Sequence, residues 1–285
     1  MNFREVRKKI KTIGNVKKIT NAMQMVSAVK MRKAQQVALT GRPYRAVLSN
    51  MIARIVKTSG SAESSNTLIS GLAKKNGKSL YIVISSNKGL AGSFHYSLLK
   101  HVYSNVDLDK STFVVIGKKA IDFLHSIGAN ILADFSTSTS FADDASSMFT
   151  LAKSEFEAGN VEKVYVVYNS FVSSFTSAPT IKLLLPVSQI DISALEQTDT
   201  TNYLIEPSSE EVLGPLLNDF LTEEVRSAVL DSQASEHSAR MLAMKNATDS
   251  ASDIITNLTL LRNRIRQSSI TGELLDMIGA SQSSS

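Results

Sequence analysis

The last eighty residues constrain this chain most, because from Ser208 to about Ile278 little in the sequence would stop a helix. Ser208 stands three positions ahead of Glu211, the spacing of a capping box in which each side chain satisfies a backbone N–H of the first turn. No proline follows Pro215, and only Gly272 interrupts the helix formers before Gly279. At about 1.5 Å per residue such a helix extends roughly 100 Å, too far to lie across one compact domain. Met244, Ala247, Ala251, Ile254, Leu258, Leu261 and Ile265 follow one another in alternating steps of three and four, the a/d repeat of a left-handed coiled coil. The helix therefore requires a partner helix. Ala247 and Ala251 permit close approach, and beyond Ile265 the seam passes to Ser268 and Gly272 and loses its apolar character.

The opposite end of the chain supplies the partner. Phe3, Val6, Ile10, Ile13, Val16, Ile19, Met23 and Val26 recur every three or four residues, so residues 2 to about 39 read as a second long amphipathic helix that pairs antiparallel with the first. A basic mitochondrial presequence would account for the first thirty residues, but not for apolar periodicity that continues through Met31 and Ala34. Gly41-Arg42-Pro43 is expected to bend or interrupt this helix before a further helical stretch over 44–57. Charge separates the two ends. Residues 1–57 carry 14 Lys and Arg against one acid, whereas residues 206–285 carry 6 against 12. The basic segment has only Phe3 and Tyr44 as aromatics and its charges surround an apolar seam, which fits a protein partner better than nucleic acid.

Between the helices the pattern changes. After a Ser-rich linker and turn (58–77), the runs Leu80-Tyr81-Ile82-Val83-Ile84, Phe113-Val114-Val115-Ile116 and Val164-Tyr165-Val166-Val167-Tyr168 read as strands buried on both faces. Helices are expected at 94–104, 118–127 and 143–158, a further short strand at 131–135, and an edge strand at 181–185 ended by Pro186. The fold class is thus α/β: a Rossmann-like, mainly parallel domain over 78–205, inserted between coiled-coil helices at 1–57 and 206–285. The chain has no cysteine, which excludes a disulfide framework, a thiolate nucleophile and a Cys-based metal site. No apolar run approaches the roughly 18 residues of a membrane span, so any membrane association is expected to go through partners.

Ser85-Ser86-Asn87-Lys88-Gly89-Leu90-Ala91-Gly92-Ser93 follows the first strand and opens a helix, where doubly wound sheets bind phosphate. Its spacing matches neither phosphate-binding signature, so both a ligand loop and a structural turn stay open. His95, His101, Asp143, Asp144 and His237 form no catalytic or metal-binding set by spacing. No catalytic, cofactor-binding or metal-binding residue is assigned.

Longer motifs carry a resemblance. Lys18-Ile19-Thr20-Asn21-Ala22-Met23-Gln24-Met25-Val26 with Lys30-Met31-Arg32-Lys33, then Ser235-Glu236-His237-Ser238-Ala239-Arg240-Met241 through Met244-Lys245-Asn246-Ala247-Thr248-Asp249, and Arg266-Gln267-Ser268-Ser269-Ile270-Thr271 with Glu273-Leu274 resemble the gamma subunit of F-type ATP synthases. The likeness runs through the whole chain in order. It implies a rotor shaft without catalytic groups, whose paired helices enter a ring of alternating alpha and beta subunits while the α/β domain meets the epsilon subunit and the membrane c-subunit ring. Proton flow would then be coupled to ATP synthesis or hydrolysis, on the cytoplasmic side of a bacterial inner membrane. The resemblance further implies a catch at the tip (Arg266, Gln267, Thr271) and a collar facing the catalytic subunits (Lys9, Lys18, Met23, Lys30, Arg32, Lys33). Ile10 and Ile13 join the seam. The chain departs from the family pattern at Ala91, where a cysteine is frequent, in lacking the Cys-bearing insert of plant-type relatives, at the breaker Leu213-Gly214-Pro215, and at Gly272. A nucleotide-binding α/β enzyme dimerised by a coiled coil is the alternative, and micromolar nucleotide binding would favour it.

Overall fold

A computed structural model describes residues 2–58, 67–71, 77–138, 140–187 and 205–283. Most of the expected linker, and residues 188–204 of the expected central domain, lie outside them. The elements run α1 (Phe3–Thr58), α2 (Thr67–Ser70), β1 (Ser79–Ile84), α3 (Phe94–Asn105), a 3-10 turn (Leu108–Lys110), β2 (Ser111–Ile116), α4 (Lys118–Ser126), β3 (Asn130–Asp134), α5 (Ala145–Glu157), β4 (Lys163–Phe171), β5 (Ser177–Leu185) and α6 (Ser209–Ser283). The chain forms two compact units, one of residues 1–28 with 240–285 and one of residues 29–239. The division falls inside both long helices, not at their ends.

Neither of the helix breakers singled out in the sequence interrupts its helix. α1 continues through Pro43 and α6 through Pro215. Each proline removes one backbone donor and crowds the carbonyl four residues back, at a cost of about 3 kcal/mol. Burial beyond each proline offsets that cost: Leu48, Ile52 and Ile55 follow Pro43, and Leu217, Leu221 and Val225 follow Pro215, all at most 4% exposed. The start of α6 is capped by Ser208, whose Oγ accepts from Glu211 N–H (3.3 Å) and lies 3.4 Å from Glu211 Oε1.

In the unit of residues 29–239 the sheet order is β3-β2-β1-β4-β5, with β1 to β4 parallel and β5 antiparallel along β4. One face buries Val83, Phe113, Val115 and Val167 against α3 and α4. The other buries Leu80, Ile82, Val114, Val164 and Val166 against α5 and against the parts of α1 and α6 that belong to this unit. Burial on both faces is why these strands read as continuous apolar runs. Tyr81 stacks on Tyr165 (5.0 Å) and Phe113 (5.8 Å) in one cross-strand row.

In the unit of residues 1–28 and 240–285 the described residues are helical from Phe3 onward on α1 and through Ser283 on α6. α1 leaves it toward higher numbers as α6 enters it, so the two run in opposite senses. On α1 the covered line runs Val6, Ile10, Ile13, Lys17, Thr20, Gln24 and Ser27, in steps of four and three, with Gly14, Met23 and Ala28 also half-buried. Val16, Ile19 and Val26, expected on that stripe, are 47, 60 and 55% exposed. On α6 the covered line is Met244, Thr248, Ala251, Ile255, Leu258, Arg262 and Ile265, with Ala247 and Leu261 also half-buried. Ile254, expected on the seam from its spacing, is 46% exposed. The physical reason is a polar layer that hydrophobic periodicity does not register. Thr20 and Thr248 share a hydrogen bond of 2.7 Å, and Ser27 and Ser252 donate to carbonyls one turn back at 2.7 and 2.9 Å. Hydroxyls satisfied in this way can face a seam, and Thr248 in the line brings Ile255, not Ile254, onto it. Leu258→Asp is expected to cost about 2 kcal/mol or more and Ile254→Asp under about 1 kcal/mol in urea unfolding of the full chain.

Candidate interaction surface

The carboxyl ends of β1 and β4 are where a doubly wound sheet would open to a ligand, and here the chain's own groups occupy them. Ser232, Ser235 and Ser238, every third residue of α6, donate to the carbonyls of Ile84 (3.3 Å), Asn169 (3.0 Å) and Ser174 (2.5 Å). The Asn169 amide in turn donates to Phe94 O at 3.1 Å, binding β4 to the start of α3. In the glycine-containing loop, Asn87 accepts from Lys118 N–H (2.8 Å), capping α4, and donates to Ser136 O (2.7 Å). Ser85 Oγ lies 3.1 Å from His95 Nδ1, and His95 Nε2 lies 3.2 Å from Lys88 O. Gly117 takes φ +92° so close to this loop that a Cβ would sit 2.5 Å from Ser86 N. The loop is thus bonded inward, and its groups serve as caps and ties.

The remaining singled-out groups lie apart. His101 Nδ1 is 3.2 Å from the Asn105 amide one turn on, on α3. Asp144 occupies the N-cap position of α5, with one carboxylate oxygen buried and unpartnered among the described residues. His237 is half-buried on α6. Among the described residues no group of three His, Asp or Glu side chains is placed to hold a metal. No helix among them is long and apolar enough to cross a membrane.

The helix pair carries a different kind of surface. Lys9 and Lys18 are exposed on α1 and Met23 is half-buried; further along α1, in the larger unit, Lys30, Arg32 and Lys33 are exposed. None of these five cations makes an ion pair among the described residues. At the far end of α6, Arg266, Gln267 and Thr271 are exposed, with the Thr271 hydroxyl 2.9 Å from Gln267 O. Gln267 and Thr271, four apart, share a helix face. Outward apolar residues are the feature the spacing argument missed. Ile19 and Met25 on α1 are about as exposed as Leu260, Leu275 and Met277 on α6, at 60 to 63%, and Ile270 and Leu274 are half exposed. Ile270, Leu274 and Met277 are spaced four and three apart, so a second stripe was readable beyond the point where the seam fades. Apolar side chains on the outside of a helix pair mark a protein-binding surface.

The chain thus consists of a two-helix unit with an apolar outer surface and an α/β unit whose strand ends are filled by its own helix. A family model described as ATP synthase matches residues 2–283. The ATP synthase gamma chain of Glaesserella parasuis serovar 5 is 35% identical over 282 residues, covering 96% of each chain. That of Acinetobacter baumannii is 34% identical over 290 residues, covering 98% of each. Among solved structures, a chain of the Euglena gracilis mitochondrial ATP synthase OSCP/F1/c-ring assembly superposes with a TM-score of 0.67 at 18% identity, over 99% of this chain and 94% of that one. A chain of the Tetrahymena thermophila ATP synthase central stalk and c-ring gives 0.61 at 21%, over 80% and 99%. This chain belongs to the ATP synthase gamma-chain family.

If the glycine-containing loop is a fold element, Asn87→Ala removes a cap and a tie. The expected loss is about 1–2 kcal/mol in thermal unfolding, with no nucleotide-dependent stabilisation in either the parent or the variant. A nucleotide-induced rise in melting temperature that the variant abolishes would restore the ligand reading.

Proposed function

We propose that this chain is the rotor shaft of an ATP synthase and carries no catalytic group itself. The supporting observation is the outward apolar surface of the helix pair, which calls for an enclosing protein sleeve. In this reading the sleeve is the ring of alpha and beta subunits, the α/β domain meets the epsilon subunit and the c-subunit ring, and membrane association on the cytoplasmic side of a bacterial inner membrane is indirect. The helix pair has no rotational symmetry: α1 offers cations and Ile19, whereas α6 offers Gln267, Thr271 and the stripe through Ile270. Each surrounding subunit therefore meets a different face and is biased toward a different conformation and nucleotide affinity. Turning the shaft exchanges those biases, which is a population shift driven by a mechanical ligand.

The collar of Lys9, Lys18, Met23, Lys30, Arg32 and Lys33 would face acidic loops of the catalytic subunits, and Arg266, Gln267 and Thr271 would form the tip catch. Hydrogen bonds made only at some angles, each about 1 kcal/mol and up to about 3 kcal/mol where a charge takes part, suffice to bias closure without holding the shaft fast. Co-expression should recover this chain with six larger nucleotide-binding subunits. Gln267→Ala with Thr271→Ala is expected to lower ATP turnover of that complex several-fold while the isolated chain unfolds as before. Full turnover and full proton coupling would reject the catch.

A further inference from the structure

We propose that Glu224, held between Arg45 and Lys182, is the centre of an ionic clamp that locks α1 and α6 to the outer strand of the sheet, so that torque passes between the helices and the α/β domain without slip. The use of the clamp rests on the rotor reading; its existence does not. Glu224 Oε1 lies 3.9 Å from the Arg45 guanidinium on α1, and its other oxygen accepts a hydrogen bond from Lys182 on β5. The carboxylate side chain is 12% exposed, that of Arg45 20% and that of Lys182 41%. One largely covered anion thus joins three elements that are distant in sequence.

Apolar contact alone would not hold these elements in register. Hydrophobic burial is non-directional, so the area it covers discriminates less sharply between neighbouring registers of a helix on an aliphatic sheet face than a paired charge does. Packing is also interrupted here, since a cavity of about 230 Å³ opens between α1 and α6, with Arg45 in its wall. A carboxylate covered to this extent favours one arrangement, because a slip that parts it from both cations leaves its charge poorly solvated and unpaired. Two more groups face the cluster. Asp231, seven residues along α6 from Glu224, is raised by burial and, less, by the Glu224 carboxylate, against the pull of Arg45, Arg42 and Lys182. Tyr168 on β4 is pushed up to about 12 by burial and by the nearby Asp231 and Glu224 carboxylates.

These groups give the clamp a pH signature. A carboxyl raised in the folded state adds stability that is complete below its unfolded value and is lost as pH rises through the folded value. Asp231→Asn should therefore flatten the fall in stability on going up from the ordinary aspartate range, and leave the Glu224 ties in place.

The decisive experiment is a double-mutant cycle on Lys182→Met and Glu224→Gln in the full chain, read by amide hydrogen exchange in β5. Each single change should lower protection about tenfold, and the double by little more than Glu224→Gln alone, because once Glu224 is uncharged Lys182 has no partner left to lose. Arg45→Lys, which keeps the charge but shortens the reach, should give a smaller loss and serves if a variant fails to fold. In the assembled complex the single variants should hydrolyse ATP normally while pumping several-fold fewer protons per ATP. Additive or absent effects on exchange would overturn the clamp. Coupling in the exchange cycle with an unchanged pumping ratio would overturn its role in torque. If the parent chain itself forms no complex, the rotor reading fails and the torque role with it, while the exchange cycle still shows whether Glu224 joins the two cations.

Discussion

Everything in this structure depends on α6 finding cover along its length. A helix of 75 residues is far longer than propensity alone sustains, and its composition changes to suit what lies beside it. Between Leu213 and Arg240 it is covered on nearly all sides, with Leu217, Leu221, Val225 and Val229 at 0% exposure. From Met244 onward cover narrows to one side of the helix and the other side faces out. One continuous helix thus serves as a core element in one unit and as half of a helix pair in the other.

Hydrophobic burial supplies most of the cohesion, and a few polar groups supply the register. Ser232, Ser235 and Ser238 fix where α6 meets the strand ends, Asn87 joins the first loop to α4, and Thr20 with Thr248 fixes one level of the helix pair. Each is a small side chain whose bond is lost if its element shifts by one residue. Such bonds contribute about 1 kcal/mol each, little beside the apolar core, but they discriminate among arrangements that burial alone leaves nearly equal. Stiffness of that kind is what a torque-bearing part requires.

The outer surface of the helix pair follows a different logic. Exposed Ile19, Met25, Leu260 and Leu275 would be a liability on a free chain, as would the exposed Lys9, Lys18, Lys30, Arg32 and Lys33, which make no ion pair among the described residues. In the rotor reading proposed above, a surrounding protein turns both into contacts. The absence of rotational symmetry in that surface then becomes the source of the differences that rotation moves from site to site.

The sequence by itself determined the element types, their order and the class. Strand runs such as Val164 to Tyr168 and the cap at Ser208 are local signals, and local physics, pleat burial and end satisfaction, decides them. Tertiary structure decided what local physics leaves open. Pro43 and Pro215 remain inside helices because packing beyond them outweighs a missing bond, and Ile255 replaces Ile254 on the seam because Thr248 finds a partner 228 positions away. The same holds for the first loop: its glycines fit either a ligand cradle or a turn, and only the arrival of Lys118, Ser136 and α6 at the strand ends shows its polar groups bonded inward. The cluster at Glu224 was likewise invisible in one dimension, since Arg45, Lys182 and Glu224 are ordinary surface residue types until three elements bring them under common cover.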